Sequence, residues 1–133
     1  MQEVYECESL NMKRDMELVR DLLLAIERDP KFDGTKWLSP TKAEDFGITN
    51  HSMQEVSYDL AMLIEEGFIK GKIGIDVVVI NKLTWKGHEF LDDIRDPGIW
   101  DKTKDRLKGL PSVGIGVIAE IAKAEIKKHL GLP

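Results

Sequence analysis

Four lysines near the middle of the chain are the side chains best suited to bind an anion. Residues 67–87 carry a net charge of +3, because Asp76 is their only acidic residue. The four lysines are Lys70, Lys72, Lys82 and Lys86. Because lysine neutralises phosphates and releases their counterions, this segment indicates contact with a DNA backbone. The alternative is that the lysines keep an exposed strand edge from pairing with another chain.

The segment directly before these lysines is the most acidic part of the chain. Residues 51–66 carry a net charge of −4 and contain no lysine or arginine, so they would repel phosphates. Of their side chains, only Gln54 can make a bidentate contact with adenine. The acidic surface instead favours a protein partner, with an ordinary solvated helix face as the alternative. The candidate contact residues are Glu55, Tyr58, Asp59 and Glu66.

The residues that could support catalysis form no complete set. His88 and Glu89 begin like the HExxH zinc motif, but Asp92 stands where the second histidine would be. Cys7 lies between two glutamates, which disfavour its reactive thiolate form. The sequence therefore predicts a non-enzymatic protein with no catalytic residues, no cofactor and no metal site. A protein-binding role is favoured, DNA binding is the alternative, and a cryptic enzyme comes third.

The overall composition is that of one globular domain. The chain has 133 residues, a formal net charge of −5 and 42% hydrophobic residues, which is enough to form a core at this length. The single cysteine excludes an internal disulfide and a zinc ribbon, and it favours a reducing compartment. The sequence has no secretory pattern, and no apolar run approaches the ~20 residues that span a bilayer. We expect a cytoplasmic protein with no membrane partner.

The first half of the chain has the pattern of short helices. Apolar residues at helical spacing over residues 16–26 predict a first helix that ends before Pro30. Trp37 and Leu38 then form either a short strand or an anchor. Trp37, Trp85 and Trp100 each stand beside an apolar residue at an element boundary, so we expect packing anchors rather than a platform for stacked bases.

A second short helix is predicted after this pair of residues. Ser39 is a typical N-cap and Pro40 suits the first helical position. Thr41 and Glu44 have the spacing of a reciprocal capping box. Gly47 is the expected stop.

Next follow a third helix and a hairpin. Ser52 and Glu55 repeat the capping-box spacing, and the helix runs to about Glu66. Two β-rich runs follow, Phe68 to Ile73 and Ile75 to Leu83, separated by Gly74.

Three helices are predicted for the rest of the chain. Thr84 can cap a fourth helix that ends at Pro97, and residues 99–107 form a short fifth helix. Ser112 can cap a last helix whose small and apolar residues suggest self-association through residues 112–130, with packing on its own domain as the alternative. The apolar stripe consists of Ile115, Ile118, Ala122, Ile126 and Leu130.

This element order predicts a mainly helical α+β fold, a winged helix-turn-helix with a β-hairpin wing and extra C-terminal helices. Three blocks resemble a family of short phage and prophage proteins of unknown function: MKRDMELVRDLLLAIE, YDLAMLIEEGFIKG and LTWKGHEFLDDIRD. The resemblance implies a winged-helix fold and a bacterial host cell, and it implies no activity. Relatives begin at the position of Met12, so we expect a disordered extension over residues 1–11, a winged-helix domain over 12–96 and a helical extension over 97–133.

Overall fold

A computed structural model describes residues 15–110 and 113–133 of the chain. The predicted disordered extension, residues 1–11, lies outside this part. The chain divides into two compact units, of which the first ends at Gly87 and the second runs His88–Pro133.

The first helix, α1, spans Met16–Arg28, which confirms the helix predicted there. Asp15 caps it, since its Oδ1 accepts hydrogen bonds from the backbone N–H groups of Glu17 at 3.0 Å and Leu18 at 3.2 Å. These bonds satisfy N–H groups that have no partner within the helix. One face of the helix is buried and supplies much of the core of the first unit. It consists of Leu18, Val19, Leu22, Leu23, Ala25 and Ile26.

The predicted second helix is wrong in extent and in its capping residues. The structure has a four-residue 3-10 helix, Ala43–Phe46, and Ser39 lies in extended chain before it. The carboxylate that binds free N–H groups belongs to Asp45, whose Oδ2 accepts from the N–H of Thr41 at 3.1 Å and of Lys42 at 3.2 Å. Leu38 is paired with Ile80, and the backbone is still extended at Lys42, directly before the 3-10 helix.

The second α-helix, α2, spans Met53–Glu65 and has the predicted capping box. The N–H of Glu55 donates to Ser52 Oγ at 3.1 Å, and the N–H of Ser52 donates to Glu55 Oε1 at 2.9 Å. Its inner face carries buried Val56, Leu60 and Leu63. The reciprocal cap thus fixes where the helix begins, and the burial of its apolar side chains determines which face of the helix is turned toward the core.

The predicted hairpin is confirmed as two antiparallel strands, β1 over Ile69–Gly74 and β2 over Val77–Leu83. The turn is not at Gly74 as expected. It is formed by Ile75 and Asp76, and Asp76 adopts the positive φ of 57°, which an aspartate tolerates better than a β-branched residue.

The neighbouring segment extends this sheet by one bridge. The N–H of Leu38 donates to the carbonyl of Ile80 at 2.9 Å, and the N–H of Ile80 donates back at 2.8 Å. Of the two alternatives left open for Trp37 and Leu38, the structure therefore has the short strand pairing. The register shifts between Lys70 and Gly71, which marks a β-bulge.

The third helix, α3, spans Trp85–Ile94 and begins beside the hairpin. Thr84 Oγ1 accepts a hydrogen bond from the N–H of Gly87 at 3.0 Å, as the predicted cap requires. A Cβ atom at Gly87 would lie 2.0 Å from the carbonyl oxygen of Phe68. Only glycine fits this close approach of two backbones.

Two further helices complete the second unit: α4 over Pro97–Leu107 and α5 over Ile115–Leu130. They pack against each other, and Arg106 Nη1 contacts Glu125 Oε2 across them at 3.0 Å. The expected cap of the last helix, Ser112, lies outside the described residues, and the helix begins at Ile115. Ile118 and Ala122 of the predicted apolar stripe are buried.

The fold is therefore α+β and mainly helical, with five α-helices and one two-stranded hairpin among the described residues. Within the same residues, no helix has the length and apolarity that crossing a membrane requires.

Candidate nucleic-acid interface

Three hairpin lysines and one tryptophan share the outer face of the sheet. Lys72 Nζ lies 4.8 Å and Lys70 Nζ 5.9 Å from the centroid of the Trp37 ring. Lys82 is the direct cross-strand partner of Lys70, and opposed residues of an antiparallel pair project from the same face. We call this set, Trp37, Lys70, Lys72 and Lys82, the lysine–tryptophan face.

The backbone on both sides of Trp37 is tied to β2. On one side, Asn81 Nδ2 donates to the carbonyl oxygens of Gly34 and Lys36, each at 3.0 Å. On the other side, Leu38 forms its two hydrogen bonds with Ile80. Asn81 is only 1% exposed. The indole is therefore presented from a fixed position rather than from a free loop.

The charges on this face repel one another in the free protein. Lys70 and Lys82 stand directly opposite each other, and like charges at such positions destabilise a strand pair. Lys72 follows on the same face of β1, and all three side chains are exposed. The three cations thus lie together on one exposed face of the hairpin.

Lys86 does not belong to this face, contrary to the prediction that grouped it with the hairpin lysines. It lies in the first turn of α3, where its Nζ donates to the carbonyl of Glu66 at 2.9 Å and sits 4.8 Å from the Phe68 ring centroid. Its charge thus interacts with the carboxyl end of α2, where cations are favourable.

The residues predicted for a protein partner do not form one exposed surface. Asp59 is 1% exposed and cannot touch a partner. Tyr58 is half-buried, and Glu55 is half-buried and occupied by the capping box. Only Glu66 is fully exposed at the end of the helix. Asp59 is close in sequence to the other predicted contact residues, but its side chain lies on the buried face of α2.

Gln54, the predicted reader of adenine, is exposed on α2. It lies in the segment of net charge −4, which contains no lysine or arginine and therefore repels phosphates. Gln54 therefore lies in an acidic part of the surface, whereas the hairpin lysines lie in a basic part.

Asp59 has the most unusual environment in the first unit. The pKa of its carboxyl is raised to about 7, chiefly by burial and then by the nearby charge of Asp15 and more weakly that of Glu55, while the Asp15 backbone N–H and His51 oppose the rise. Its Oδ2 has no hydrogen-bond partner. His51 Nε2 contacts Asp15 Oδ2 at 3.0 Å beside it. The helical spacing of Asp59 to Val56 and Leu63 is the signal that could have placed it on the buried face of α2.

The tryptophans are only partly the packing anchors that we expected. Trp100 is 3% exposed and confirms the prediction, whereas Trp85 is 81% and Trp37 is 44% exposed. Position at an element boundary does not distinguish these cases, because burial depends on which way the chain turns at each boundary.

The tip of the hairpin carries exposed apolar side chains. Ile75 in the turn is 94% exposed, and its neighbours Ile73 and Val77 are 49% and 40% exposed. Among residues 15–110 and 113–133, no three metal-ligating side chains come together.

Comparison with known proteins gives a family and one relative. The family model described as "Hypothetical protein (DUF2513)" matches residues 13–114. A protein of Haemophilus influenzae named "Uncharacterized protein" is 31% identical over 127 residues, which cover 90% of this chain and 99% of the relative. No solved structure matches the chain.

Proposed function

This chain belongs to the DUF2513 family of hypothetical proteins, and we propose that its first unit is a winged-helix module that binds DNA through the lysine–tryptophan face. The phage or prophage origin that the sequence resemblance implies is part of this proposal. The observation that carries it is the clustering of three exposed lysines with Trp37 on one side of the hairpin.

The order of the elements supports the winged-helix assignment. Helix α1 is followed by the strand bridge at Leu38, the 3-10 helix, α2 and the hairpin. A winged helix places a recognition helix before a hairpin, and the hairpin is then the wing. In this chain the wing carries the cations, so the proposed contact is made by the wing and not by α2.

The charges of the exposed side chains are the reason that we propose DNA as the partner, although the sequence favoured a protein. The sequence favoured a protein because residues 51–66 are acidic, but the burial of Asp59 and the capping role of Glu55 reduce the acidic surface that a partner could use. The three lysines of the face stay together and exposed. Phosphate contacts by such lysines supply most of the affinity of non-specific DNA binding.

A fluorescence-anisotropy titration tests the proposal. The probe is a labelled DNA of mixed sequence, as a single strand and as a duplex, at about 20 mM and about 150 mM salt. We expect binding that weakens steeply with salt, with a slope reduced by about 2 to 3 when Lys70, Lys72 and Lys82 are changed to glutamine. The matched control changes three other exposed lysines, Lys31, Lys102 and Lys127.

Two outcomes would overturn the proposal. One is that neither form of DNA binds at low salt. The other is that the hairpin variant and the control variant lose the same affinity, because the effect would then come from net charge alone.

A protein partner is the second candidate, and the exposed hairpin tip favours it. Ile75, Ile73 and Val77 present apolar surface of the kind that anchors protein interfaces. A photo-crosslinking amino acid at position 75, in cells of the source organism, should give a discrete adduct that Ile73→Glu removes. The same adduct from position 102 would show that the tip is not the contact.

A further inference from the structure

We infer that the lysine–tryptophan face takes single-stranded nucleic acid, with one unpaired base stacked on Trp37 and the flanking phosphates on the lysines. The inference rests on the proposed function and names its substrate class. It follows from the exposure of Trp37, from the two ammonium groups at its ring and from the absence of cations on α2.

Trp37 is built as a stacking surface. It leaves 44% of its surface exposed, although burying a tryptophan ring is strongly favourable. Its backbone is fixed on both sides by Asn81 and Ile80. A rigid, exposed ring loses little conformational freedom when a base stacks on it, so the surface is prepared for that contact before binding.

The lysines stand where the phosphates of the same nucleotide chain would pass. Lys72 and Lys70 place their Nζ atoms over the Trp37 ring, 4.8 and 5.9 Å from its centroid, so a base would stack on the part of the ring that these two side chains leave exposed. Alternate residues on a strand face lie about 7 Å apart, so the two ammonium groups can each reach a different phosphate. Aromatic rings next to cations in this way are the usual means of binding single strands without sequence preference.

A duplex would leave Trp37 unused. Paired bases are stacked on each other and show only their edges in the grooves, so a duplex offers no open base face to the Trp37 ring. The face has lysines and a tryptophan, and its one nearby amide, Asn81, is buried and holds the loop. Helix α2 cannot enter a major groove in compensation, because residues 51–66 are acidic and lack lysine and arginine.

Substitution of Trp37 separates the single strand from the duplex. The probes are labelled oligothymidine and oligouridine of about 16 nucleotides, and a DNA duplex of equal length. We expect Trp37→Ala to weaken binding of the single strands by about 5- to 100-fold and to leave the salt slope and duplex binding unchanged. Trp37→Phe keeps most of the affinity, and Trp85→Ala, which removes another exposed indole, changes it less than about twofold.

A spectroscopic measurement keeps the test valid if Trp37→Ala is poorly folded. In the Trp85→Phe variant the remaining tryptophans are Trp37 and the buried Trp100. Stacking of a thymine on Trp37 should quench part of the emission, at the same concentrations that give the anisotropy change.

The outcomes distinguish this inference from the proposed function. If the wild type binds neither single strand nor duplex, the proposed function fails and the inference fails with it. If the lysine variants lose DNA binding while Trp37→Ala binds single strands like the wild type, or if the duplex binds more tightly than the single strands, only the inference is overturned.

Discussion

Replacing the buried carboxyl of Asp59 by an amide should stabilise the protein, and more so as the pH rises. Asp59 is 1% exposed, and its Oδ2 has no hydrogen-bond partner. Burial, followed by the charge of Asp15, raises its pKa from the ordinary 3.8 to about 7. The ionised carboxylate is therefore disfavoured in the folded chain, and Asp59→Asn removes the group that has to ionise.

The magnitude follows from proton linkage. A carboxyl whose pKa is higher in the folded than in the unfolded state binds its proton more tightly after folding, so stability falls as the pH rises between the two values. The difference between 3.8 and about 7 corresponds to about 4 kcal/mol at full ionisation. We expect Asp59→Asn to raise the free energy of unfolding by about 2 kcal/mol near pH 5 and by about 4 kcal/mol near pH 8.5.

Urea unfolding at a series of pH values measures this difference directly. The control is Asp101→Asn, which removes an exposed carboxylate on α4 and should shift stability by less than about 0.5 kcal/mol at every pH. A stability difference between the wild type and Asp59→Asn that stays constant from about pH 5 to about pH 8.5 would refute the reasoning. So would a variant that is less stable than the wild type at the upper end.

Three further sets of variants test packing and assembly. Gly87→Ala brings a methyl group to 2.0 Å from the carbonyl oxygen of Phe68, so we expect a loss of about 3 kcal/mol in urea unfolding, and a loss below about 1 kcal/mol would mean that the contact yields easily. Asn81→Ala removes two hydrogen bonds to loop carbonyls; we expect a loss of about 2 kcal/mol and faster amide exchange in the preceding loop, and unchanged exchange would contradict the anchoring role. The predicted self-association of the last helix depends on exposed apolar groups such as Val117 and Leu130. Light scattering should show that the wild type is an oligomer and that the double variant Val117→Glu, Leu130→Glu is a monomer. A monomeric wild type would contradict the prediction.

The elements that the sequence predicted well are those fixed by local hydrogen bonds. The capping box of Ser52 and Glu55 and the cap at Thr84 are made within a few residues, so their spacing is enough to place the start of a helix. The helix expected after Ser39 failed because a distant pairing, Leu38 with Ile80, holds the preceding chain extended. No local pattern contains that information.

The candidate site was predicted only in part for a similar reason. The lysines of the hairpin were visible as a charge cluster, and alternation along strands puts Lys70 and Lys72 on one face. Whether Trp37 joins them depends on the bridge between sequence-distant residues, and whether Asp59 is buried depends on how α2 rotates against α1. Lys86 lies apart from the other three lysines because a helix begins one residue before it, and its Nζ contacts the carbonyl of Glu66 at the end of α2.

The close approach at Gly87 sets a condition for comparing this chain with its relatives. With a Cβ atom the backbone there would meet the Phe68 carbonyl at 2.0 Å, so any homologue with a larger residue at the aligned position must separate α3 from the start of the hairpin. Such a homologue would also lose the geometry that lets Lys86 reach the carbonyl of Glu66. A single aligned position therefore indicates which members of the family can share this junction between hairpin and helix.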